Sequence, residues 1–254
     1  MQDSRPKSTP LCPYTLLEKV DLSVDQIEKM KKYPYQELLG KINYIANSTR
    51  PELSVAVSKL SQFSNNPAYI HWNQLLHILK YLKFSTNEGI YLQHKNNDQL
   101  IAYSDSDWAG DKSTRKSTTG YTILMGKSLL CWKSQLQQTV AHSTLEAEFK
   151  AMAQMISTLI WCKGLLEELK MIKKNEETNL YCDNNGTIKV LNNKNFKGRC
   201  RHNEIHFSIV REQIEEYFLK LHYVETENNV ADMFTKQLNK IKLCKLKNLI
   251  NCRV

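Results

Sequence analysis

Residues 100–105 read LIAYSD, and residues 180–183 read LYCD. In each stretch a short apolar run, typical of a buried strand, precedes an aspartate, so Asp105 and Asp183 are predicted to lie where a strand ends and a loop begins. Ligands bind beyond the carboxyl ends of strands in open α/β sheets. An ordinary turn would also explain Asp183, because DNNG at residues 183–186 consists of residues that turns favour. The two stretches therefore predict one sheet with two candidate site residues.

Further predicted strands and helices surround these two stretches. Apolar runs at residues 121–125, 129–132 and 221–224 predict three more strands, and a long helix is predicted after Ser143. The order of three strands, helix, strand, helices, strand and helix predicts a mixed α/β layer fold. Gly126 lies between two of the runs, at a position where a hairpin turn accommodates a positive φ.

The first ninety-odd residues have the apolar spacing of helices and no cluster of acids or metal ligands. Pro51, Pro67 and Gly89 mark the breaks between three helical segments. We interpret this part as a packing or docking module, because an apolar stripe at helical spacing most often marks a core. The residues that carry the pattern are Leu38, Leu39, Ile42, Tyr44, Ile45, Val55, Val57, Leu60, Phe63, Trp72, Leu75, Leu76, Ile78, Leu79 and Leu82.

The composition indicates a soluble globular protein with polyanionic partners. Thirty-five Lys and Arg residues against 26 Asp and Glu residues give a formal net charge of +9 over 254 residues. No membrane span is expected, since no apolar run approaches the roughly 18 to 20 residues that cross a bilayer. The amino terminus lacks the apolar core of a secretory signal. The seven cysteines form no Cys-x-x-Cys pair, so we expect reduced thiols and a cytoplasmic or nuclear location.

The predicted helix after Ser143 carries an acid on its inward face. Ser143 and Glu146 have the spacing of a capping box, in which each side chain binds a free backbone amide of the other residue. At 100° per residue, Glu148 shares a stripe with Met152 and Met155 that is predicted to pack inward. A buried carboxylate is costly unless a cation compensates it, and a metal ion is one candidate. The alternative is a glutamate that reaches solvent from the helix end.

Asp232 is a fourth candidate, within the first turns of a helix predicted after the strand at residues 221–224. Alone it indicates little, because acids in a first helical turn are common where they complement the helix dipole. Together, Asp105, Glu148, Asp183 and Asp232 offer hard oxygen ligands, which suit Mg²⁺ or Mn²⁺ better than Zn²⁺.

Five motifs, in their order along the chain, closely resemble motifs of the ribonuclease H domain of copia-type retrotransposon Pol polyproteins. They are YSDSDWAGD at residues 103–111, RKSTTGY at 115–121, EAEF at 146–149, DNN at 183–185 and VAD at 230–232. The earlier part is similar to the segment that joins the reverse transcriptase to that domain. Its matching residues are Tyr35, Gly40, Tyr44, Arg50, Pro51, Glu52, His71, Trp72 and the LKYLK stretch at 79–83.

The resemblance implies a five-stranded mixed sheet flanked by helices, which cuts the RNA strand of RNA–DNA hybrids with two Mg²⁺ ions. By motif, Asp105 would bridge both metals, Glu148 and Asp183 would complete one site, and Asp232 would hold the other. The polymerase part of a Pol polyprotein is an implied partner. Departures from the family pattern include Phe149 in place of Tyr and Asn229 in place of Gln, and they concern loop packing and efficiency more than chemistry.

The resemblance also divides the chain into three parts. Residues 1–95 are predicted to be the mainly helical segment, residues 96–240 the ribonuclease H-like domain, and residues 241–254 a basic tail. From Met233 onward there are six basic residues and no acid, so we expect this end to be loosely ordered.

Basic residues flank the proposed acids and are predicted to contact phosphates without reading the base sequence. They are Lys112, Arg115, Lys116, Lys133, Lys197, Arg199 and Arg201. Trp132 could contact a sugar or a base, although a core position is the more common role of a tryptophan.

Several alternatives remain open at this point. The same fold could be a nucleic-acid-binding relic without turnover, or an integrase, although an integrase lacks a helix-borne acid in second place. Asp107 competes with Asp105 for the strand position. His202 and His206 lie one turn apart, but a zincin needs a glutamate directly after the first histidine. No Asp-Asp dipeptide of a copia-type polymerase site is present, so DNA synthesis is not expected.

Overall fold

The structure is a computed structural model that describes residues 4–12, 15, 17–93, 99–193 and 201–253. Its helices are α1 (Val24–Met30), α2 (Tyr35–Ser48), α3 (Ser54–Ser61), α4 (Tyr69–Lys83), α5 (Thr144–Glu168), α6 (Asn185–Asn192), α7 (Arg201–Glu216) and α8 (Lys240–Leu249). Its strands are β1 (Gly89–Ile90), β2 (Leu100–Asp107), β3 (Thr118–Met125), β4 (Ser128–Leu136), β5 (Thr178–Cys182), β6 (Leu219–Tyr223) and β7 (Cys252–Arg253). Two 3₁₀ helices cover Pro51–Leu53 and Val230–Phe234.

Five strands form one mixed sheet in the order β4-β3-β2-β5-β6. β2, β3 and β4 pair antiparallel, whereas β5 pairs parallel to both β2 and β6. The predicted five-stranded mixed sheet flanked by helices is confirmed, and so is the order of its elements. The hairpin between β3 and β4 is confirmed as well, with Gly126 at a φ of 59°.

The central strand β2 is longer than the sequence predicts. Asp105 was expected after the strand, but β2 continues to Asp107, because its pairing with β3 continues through Asp105 and Gly120 to Asp107 and Thr118. Successive side chains of a strand point to opposite faces. Asp105 therefore lies on one face of the sheet, while Ser106 points to the other.

The long helix α5 packs one face of the sheet. Met152, Met155, Ile156 and Leu159 are fully buried, together with Leu180 of the central region of the sheet. The inward stripe predicted for α5 is confirmed. On the same stripe, Glu148 is brought to the sheet from the first turns of the helix.

The helical segment before β2 has its own core. Leu39, Ile42, Leu60, Leu75 and Ile78 are buried in it. The helical prediction is confirmed, but the inward position expected for Tyr44 is wrong, since its exposed fraction is 76%. Tyr44 lies two residues after Ile42, about 200° around the helix, and this places it on the opposite side.

The carboxyl-terminal residues are ordered, contrary to the loose tail expected from their charge. Asn239 caps α8, Leu243 and Leu246 are buried, and β7 pairs antiparallel with β1. The expectation was wrong because basic residues can occupy the exposed side of a helix whose apolar side packs inward.

Trp132 packs against the buried cluster that contains Leu243 and Leu246. Its indole N–H donates to the carbonyl of Ala46 at 3.0 Å, so Trp132 has a core position rather than one in contact with a sugar or a base. The divisions at residues 95 and 240 stay predictions.

A buried ionic network joins the helical segment to α8. The Arg50 guanidinium contacts Glu52 at 2.6 Å and Glu88 at 3.2 Å, and the Lys247 ammonium contacts Glu88 as well. Tyr81 donates its hydroxyl to Glu52 at 3.3 Å. Because each charge has a partner of opposite sign, the network tolerates burial that isolated charges would not.

None of the helices in the described part of the chain has the length and apolar character of a membrane span.

We predict that Arg50→Met lowers the free energy of unfolding by about 3 to 5 kcal/mol, because it leaves the buried carboxylate of Glu52 without a counter-charge. Lys41→Met is the matched control, since Lys41 pairs with Glu37 at 2.5 Å on an exposed helix surface. There the loss should be at most about 1 kcal/mol. Urea denaturation of both variants measures the difference, and equal losses would contradict the structural role of the network.

Candidate metal centre

Asp105 is buried at the centre of the sheet beneath the 3₁₀ helix Val230–Phe234. Its side chain accepts a hydrogen bond from the Thr235 hydroxyl, and the Lys236 ammonium lies 3.2 Å away. Gly120, the partner of Asp105 on β3, lets the 3₁₀ helix approach this closely. A Cβ at that position would lie 2.5 Å from the Thr235 methyl carbon and 2.9 Å from the Ala231 carbonyl oxygen.

The 3₁₀ helix is tied to β2 by a buried asparagine. The Asn229 side-chain amide donates to the Ser104 carbonyl at 3.0 Å, and its oxygen accepts from the Ala231 N–H at 3.1 Å. Asp232 was expected in the first turns of a helix, and the element is instead a short 3₁₀ helix. The bonds of Asn229 fix Asp232 beside Asp105.

Glu148 reaches the same region from the opposite side of β2. It is buried, and its Oε1 accepts hydrogen bonds from the backbone N–H of Ser106 at 3.2 Å and from the Ser106 hydroxyl at 2.9 Å. Ser143 caps α5 as predicted, because its hydroxyl accepts from the Glu146 N–H at 3.1 Å. The reciprocal half of the capping box was wrong, since Glu146 accepts from the N–H of His142 and pairs with Lys150 at 2.8 Å.

Asp183 follows β5 directly, as the sequence predicts. It is partly exposed, and its Oδ2 accepts from the Thr226 hydroxyl at 2.8 Å. One carboxylate oxygen each from Asp105, Asp183 and Asp232 lie within 4.8 Å of one another. Ligand atoms of Glu148, Cys182 and Asp183 satisfy the same limit. Asp183 therefore connects two groups that together contain all four acids singled out in the sequence.

The donor set suits a hard divalent cation. Four carboxylates from separate elements converge, and Mg²⁺ and Mn²⁺ prefer such oxygen ligands. Cys182 lies 3.9 Å from Glu148, but burial and the nearby carboxylates raise the pKa of its thiol, so that it stays protonated. A metal would have to displace this proton before the sulfur could bind it, whereas the carboxylates offer the oxygen donors that Mg²⁺ and Mn²⁺ prefer. The cluster can thus hold a divalent metal ion.

Burial and neighbouring charges raise the pKa of two of the acids and lower that of a third. Burial raises the pKa of Asp105 to about 7, although Lys236 opposes the shift. Burial, with the charges of Asp105 and Asp183, raises the pKa of Glu148 to about 8. Burial would also raise the pKa of Asp232, but hydrogen bonds from Lys236 and Lys242 outweigh it and lower that pKa below its usual value.

Two lysines of the site were not predicted from the sequence, where they were only two of the basic residues of the tail. Lys236 lies 2.7 Å from one oxygen of Asp232, and Lys242 lies 2.5 Å from the other. The spacing of four residues between Asp232 and Lys236 is a known signal for an ion pair on a helical turn. Asp107 belongs to neither of the two ligand groups found among the described residues.

The proposed phosphate contacts stay predictions. Lys112, Arg115 and Lys116 lie in the loop between β2 and β3, where Arg115 adopts a φ of 58°, and Lys133 is exposed on the edge strand β4. Lys197 and Arg199 lie outside the described residues. So do the side chains of Arg201, His202 and His206, although these residues belong to α7.

A mixed sheet of this order, with carboxylates from β2, α5, the end of β5 and the next 3₁₀ helix around one point, defines a ribonuclease H-like domain with a candidate metal centre. No protein-family model matches the chain. It is 36% identical, over 96% of its length, to the retrovirus-related Pol polyprotein from transposon TNT 1-94 of Nicotiana tabacum. It is 37% identical, over 82% of its length, to the Pol polyprotein from transposon RE2 of Arabidopsis thaliana. The chain belongs to the family of copia-type retrotransposon Pol polyproteins.

The chain spans only a small part of these relatives, 18% of the first and 14% of the second. Among solved structures it is similar to LC11-RNase H1, isolated from compost by a metagenomic approach. That similarity has a TM-score of 0.44 and 17% identity, and covers 54% of this chain and 93% of that one.

We predict opposite pH effects for two isosteric variants in the absence of divalent ions. The folded protein holds a proton on Glu148 to a higher pH than the unfolded chain does, so Glu148 lowers the stability as pH rises from about 4.5 to about 8. Glu148→Gln should therefore gain at least about 1.4 kcal/mol over the wild type between pH 5 and pH 8.5, the equivalent of one pKa unit.

Asp232→Asn is the contrasting variant. The lowered pKa of Asp232 means that its carboxylate stabilises the fold at neutral pH and that this contribution is lost as the pH falls below about 4. The variant should be less stable than the wild type at pH 7, and the deficit should shrink toward pH 3. Urea denaturation in EDTA across this range tests both signs, and parallel pH profiles would contradict the electrostatic account.

Proposed function

We propose that this chain is an endoribonuclease that hydrolyses the RNA strand of RNA–DNA hybrids with two Mg²⁺ ions, or Mn²⁺ in their place. The observation that carries the proposal is the convergence of four carboxylates from distant parts of the sequence. Membership of the Pol polyprotein family supports the same reaction class. Phosphodiester cleavage needs a group of this kind, because two bound divalent ions activate a water and stabilise the leaving oxygen.

The four acids would hold the two metal ions, and neighbouring residues would position the acids. Asp105, at the centre of the cluster, would contact both ions, with Glu148 and Asp183 completing one site and Asp232 the other. Ser106 orients Glu148 through two hydrogen bonds, and Thr235 holds one oxygen of Asp105. Such positioning contacts fix the orientation of the carboxylates before a metal binds.

The partners and the compartment follow from the same proposal. The basic residues of the β2–β3 loop and of β4 would contact phosphates on either side of the acids, without base specificity. Because the relatives are Pol polyproteins, the polymerase part is a proposed partner. The described cysteines are free thiols, which supports a reducing compartment, the cytoplasm or the nucleus.

A second candidate is a nucleic-acid-binding protein without turnover. One observation favours it: both oxygens of Asp232 are engaged by lysines at 2.7 and 2.5 Å. If these ammonium groups keep their positions, they take the place of a metal ion at that carboxylate. The fold and the net charge would then support binding without cleavage.

Cleavage of an end-labelled RNA–DNA hybrid in Mg²⁺ tests the proposal. The wild type should cut the RNA strand, and Asp105→Asn should lower the rate by at least about a hundredfold, as expected when a preorganised charge at a reaction centre is removed. Asp107→Asn is the matched control, since Asp107 lies on the same strand and face but outside the cluster, and its rate should stay within about threefold of the wild type.

The outcomes separate the two candidates. An uncut hybrid that the wild type nevertheless binds would support the nucleic-acid-binding protein. Cleavage that survives Asp105→Asn would defeat the assignment of the acids. Equal losses in Asp105→Asn and Asp107→Asn would show that the strand as a whole, and not the cluster, matters for activity.

A further inference from the structure

Two cysteines from distant parts of the sequence lie side by side between the sheet and α5. Cys131 is on β4 and Cys162 is on α5, and their sulfur atoms are 3.5 Å apart. This is a contact between two thiols, since the sulfur atoms of a disulfide are only about 2 Å apart. Neither cysteine belongs to the ligand groups found among the described residues, so the pair is separate from the metal centre.

The strand and the helix each direct their cysteine toward the other element. Cys131 shares a face of β4 with Gln135, which accepts a hydrogen bond from Gln154 of α5 at 3.2 Å, so this face of the strand lies against the helix. Cys162 follows Leu159 by three residues on the buried stripe of α5 and is 4% exposed. The two sulfur atoms therefore meet because α5 packs on this face of the sheet.

The two thiols differ in their access to solvent. β4 is an edge strand of the sheet, with β3 as its neighbour, and Cys131 on it is partly exposed. Cys162 is buried in the core between the sheet and α5. A reagent in solution can therefore reach Cys131 directly, whereas it reaches Cys162 only through Cys131.

The contact also makes Cys131 the more reactive of the two thiols. The hydrogen bond with Cys162 lowers the pKa of Cys131 to about 7, against the effect of burial. The same hydrogen bond, together with burial, raises the pKa of Cys162. Cys162 is thus the donor, and Cys131 is partly a thiolate at neutral pH. A thiol whose pKa lies near the ambient pH attacks a disulfide most effectively.

We propose that Cys131 and Cys162 form a modification site, at which a low-molecular-weight disulfide such as oxidised glutathione introduces a cross-link between β4 and α5. In the first step the Cys131 thiolate attacks one sulfur of the reagent, so that a mixed disulfide forms and one thiolate leaves. In the second step Cys162 loses its proton and attacks the Cys131 sulfur, which forms the cross-link and releases the second thiolate. The protein loses two electrons and two protons, and the reagent is reduced to two thiols.

The cross-link would enclose the segment of the chain that carries Glu148. The two cysteines are 31 residues apart, and the closed loop contains the connection from β4 to α5 and the first part of α5. A disulfide stabilises a protein mainly by restricting the unfolded chain, and the effect grows with the length of the loop. In a reducing compartment the pair stays as two thiols, so the cross-link would form only when the ratio of disulfide to thiol rises.

Peptide mass spectrometry of the full chain tests the proposal. The protein is incubated with oxidised glutathione at neutral pH, the remaining thiols are blocked with iodoacetamide, and the chain is cut with trypsin. Cys131 then lies in the peptide of residues 128–133 and Cys162 in that of residues 151–163, and each peptide contains one cysteine. We expect the two peptides to be joined, and to separate after treatment with dithiothreitol. The oxidised protein should melt about 5 to 10 °C higher than the reduced protein.

Serine variants separate the two steps. Cys162→Ser should stop after the first step and retain one glutathione on Cys131. Cys131→Ser should leave Cys162 unmodified, because the buried thiol is out of reach of the reagent. Cys244→Ser is the matched control, since Cys244 is exposed on α8. This variant should form the same cross-link as the wild type and show the same rise in melting temperature.

Three results would overturn the proposal. They are peptides of the wild type that stay unlinked in oxidised glutathione, a mixed disulfide on Cys131 that does not proceed to the cross-link, and a cross-link that lowers the melting temperature. Melting each variant in reducing buffer identifies one that fails to fold, and the result for the wild type does not depend on any variant. None of these measurements uses cleavage of a hybrid, so the cross-link and the proposed nuclease activity succeed or fail separately.

Discussion

The contact between the central strand and the 3₁₀ helix above it governs the rest of the site. Gly120 has no side chain, and the backbone of the 3₁₀ helix therefore reaches the sheet where Asp105 is buried. Asp232 comes within reach of Asp105 through this contact, and Asn229 secures it by bonding to β2. Glu148 approaches β2 from the other face and Asp183 from the end of β5. The acids meet because these contacts bring their four elements to one point.

Such a cluster opposes folding, and the structure limits the opposition in two ways. On one side, Asp105 and Glu148 retain protons to higher pH than free carboxyls do, because burial and their neighbours disfavour the charge. On the other side, Lys236 and Lys242 keep Asp232 ionised. The site thus contains carboxylates in two electrostatic states, and a divalent cation would compete with protons on one side and with ammonium groups on the other.

The sequence was sufficient for those features that depend on local periodicity. The inward position of Glu148 follows from the helical repeat, and Asp183 follows from a short apolar run with a turn. Features that depend on pairing between distant residues were missed. The length of β2 is set by its pairing with β3, and the carboxyl-terminal helix is ordered by a core that it shares with Trp132. The buried hydroxyls of Ser54 and Ser134, which have no hydrogen-bond partner among the described residues, belong to two elements that meet only in the folded chain. The ion pair of Lys242 with Asp232 was missed as well, because the two residues lie ten positions apart and belong to different elements, so no helical spacing predicts their contact.

Helix α8 has a consequence beyond its own packing. At one point it offers Lys242 to Asp232, and five residues further, about 7.5 Å along its axis, it offers Lys247 to Glu88 beside Arg50. A single rigid rod is thus anchored both at Asp232 of the candidate metal centre and at the helical segment. Displacement of that segment, for instance by whatever adjoins it in a longer polyprotein, would be transmitted along the rod as a shift of the charge beside Asp232.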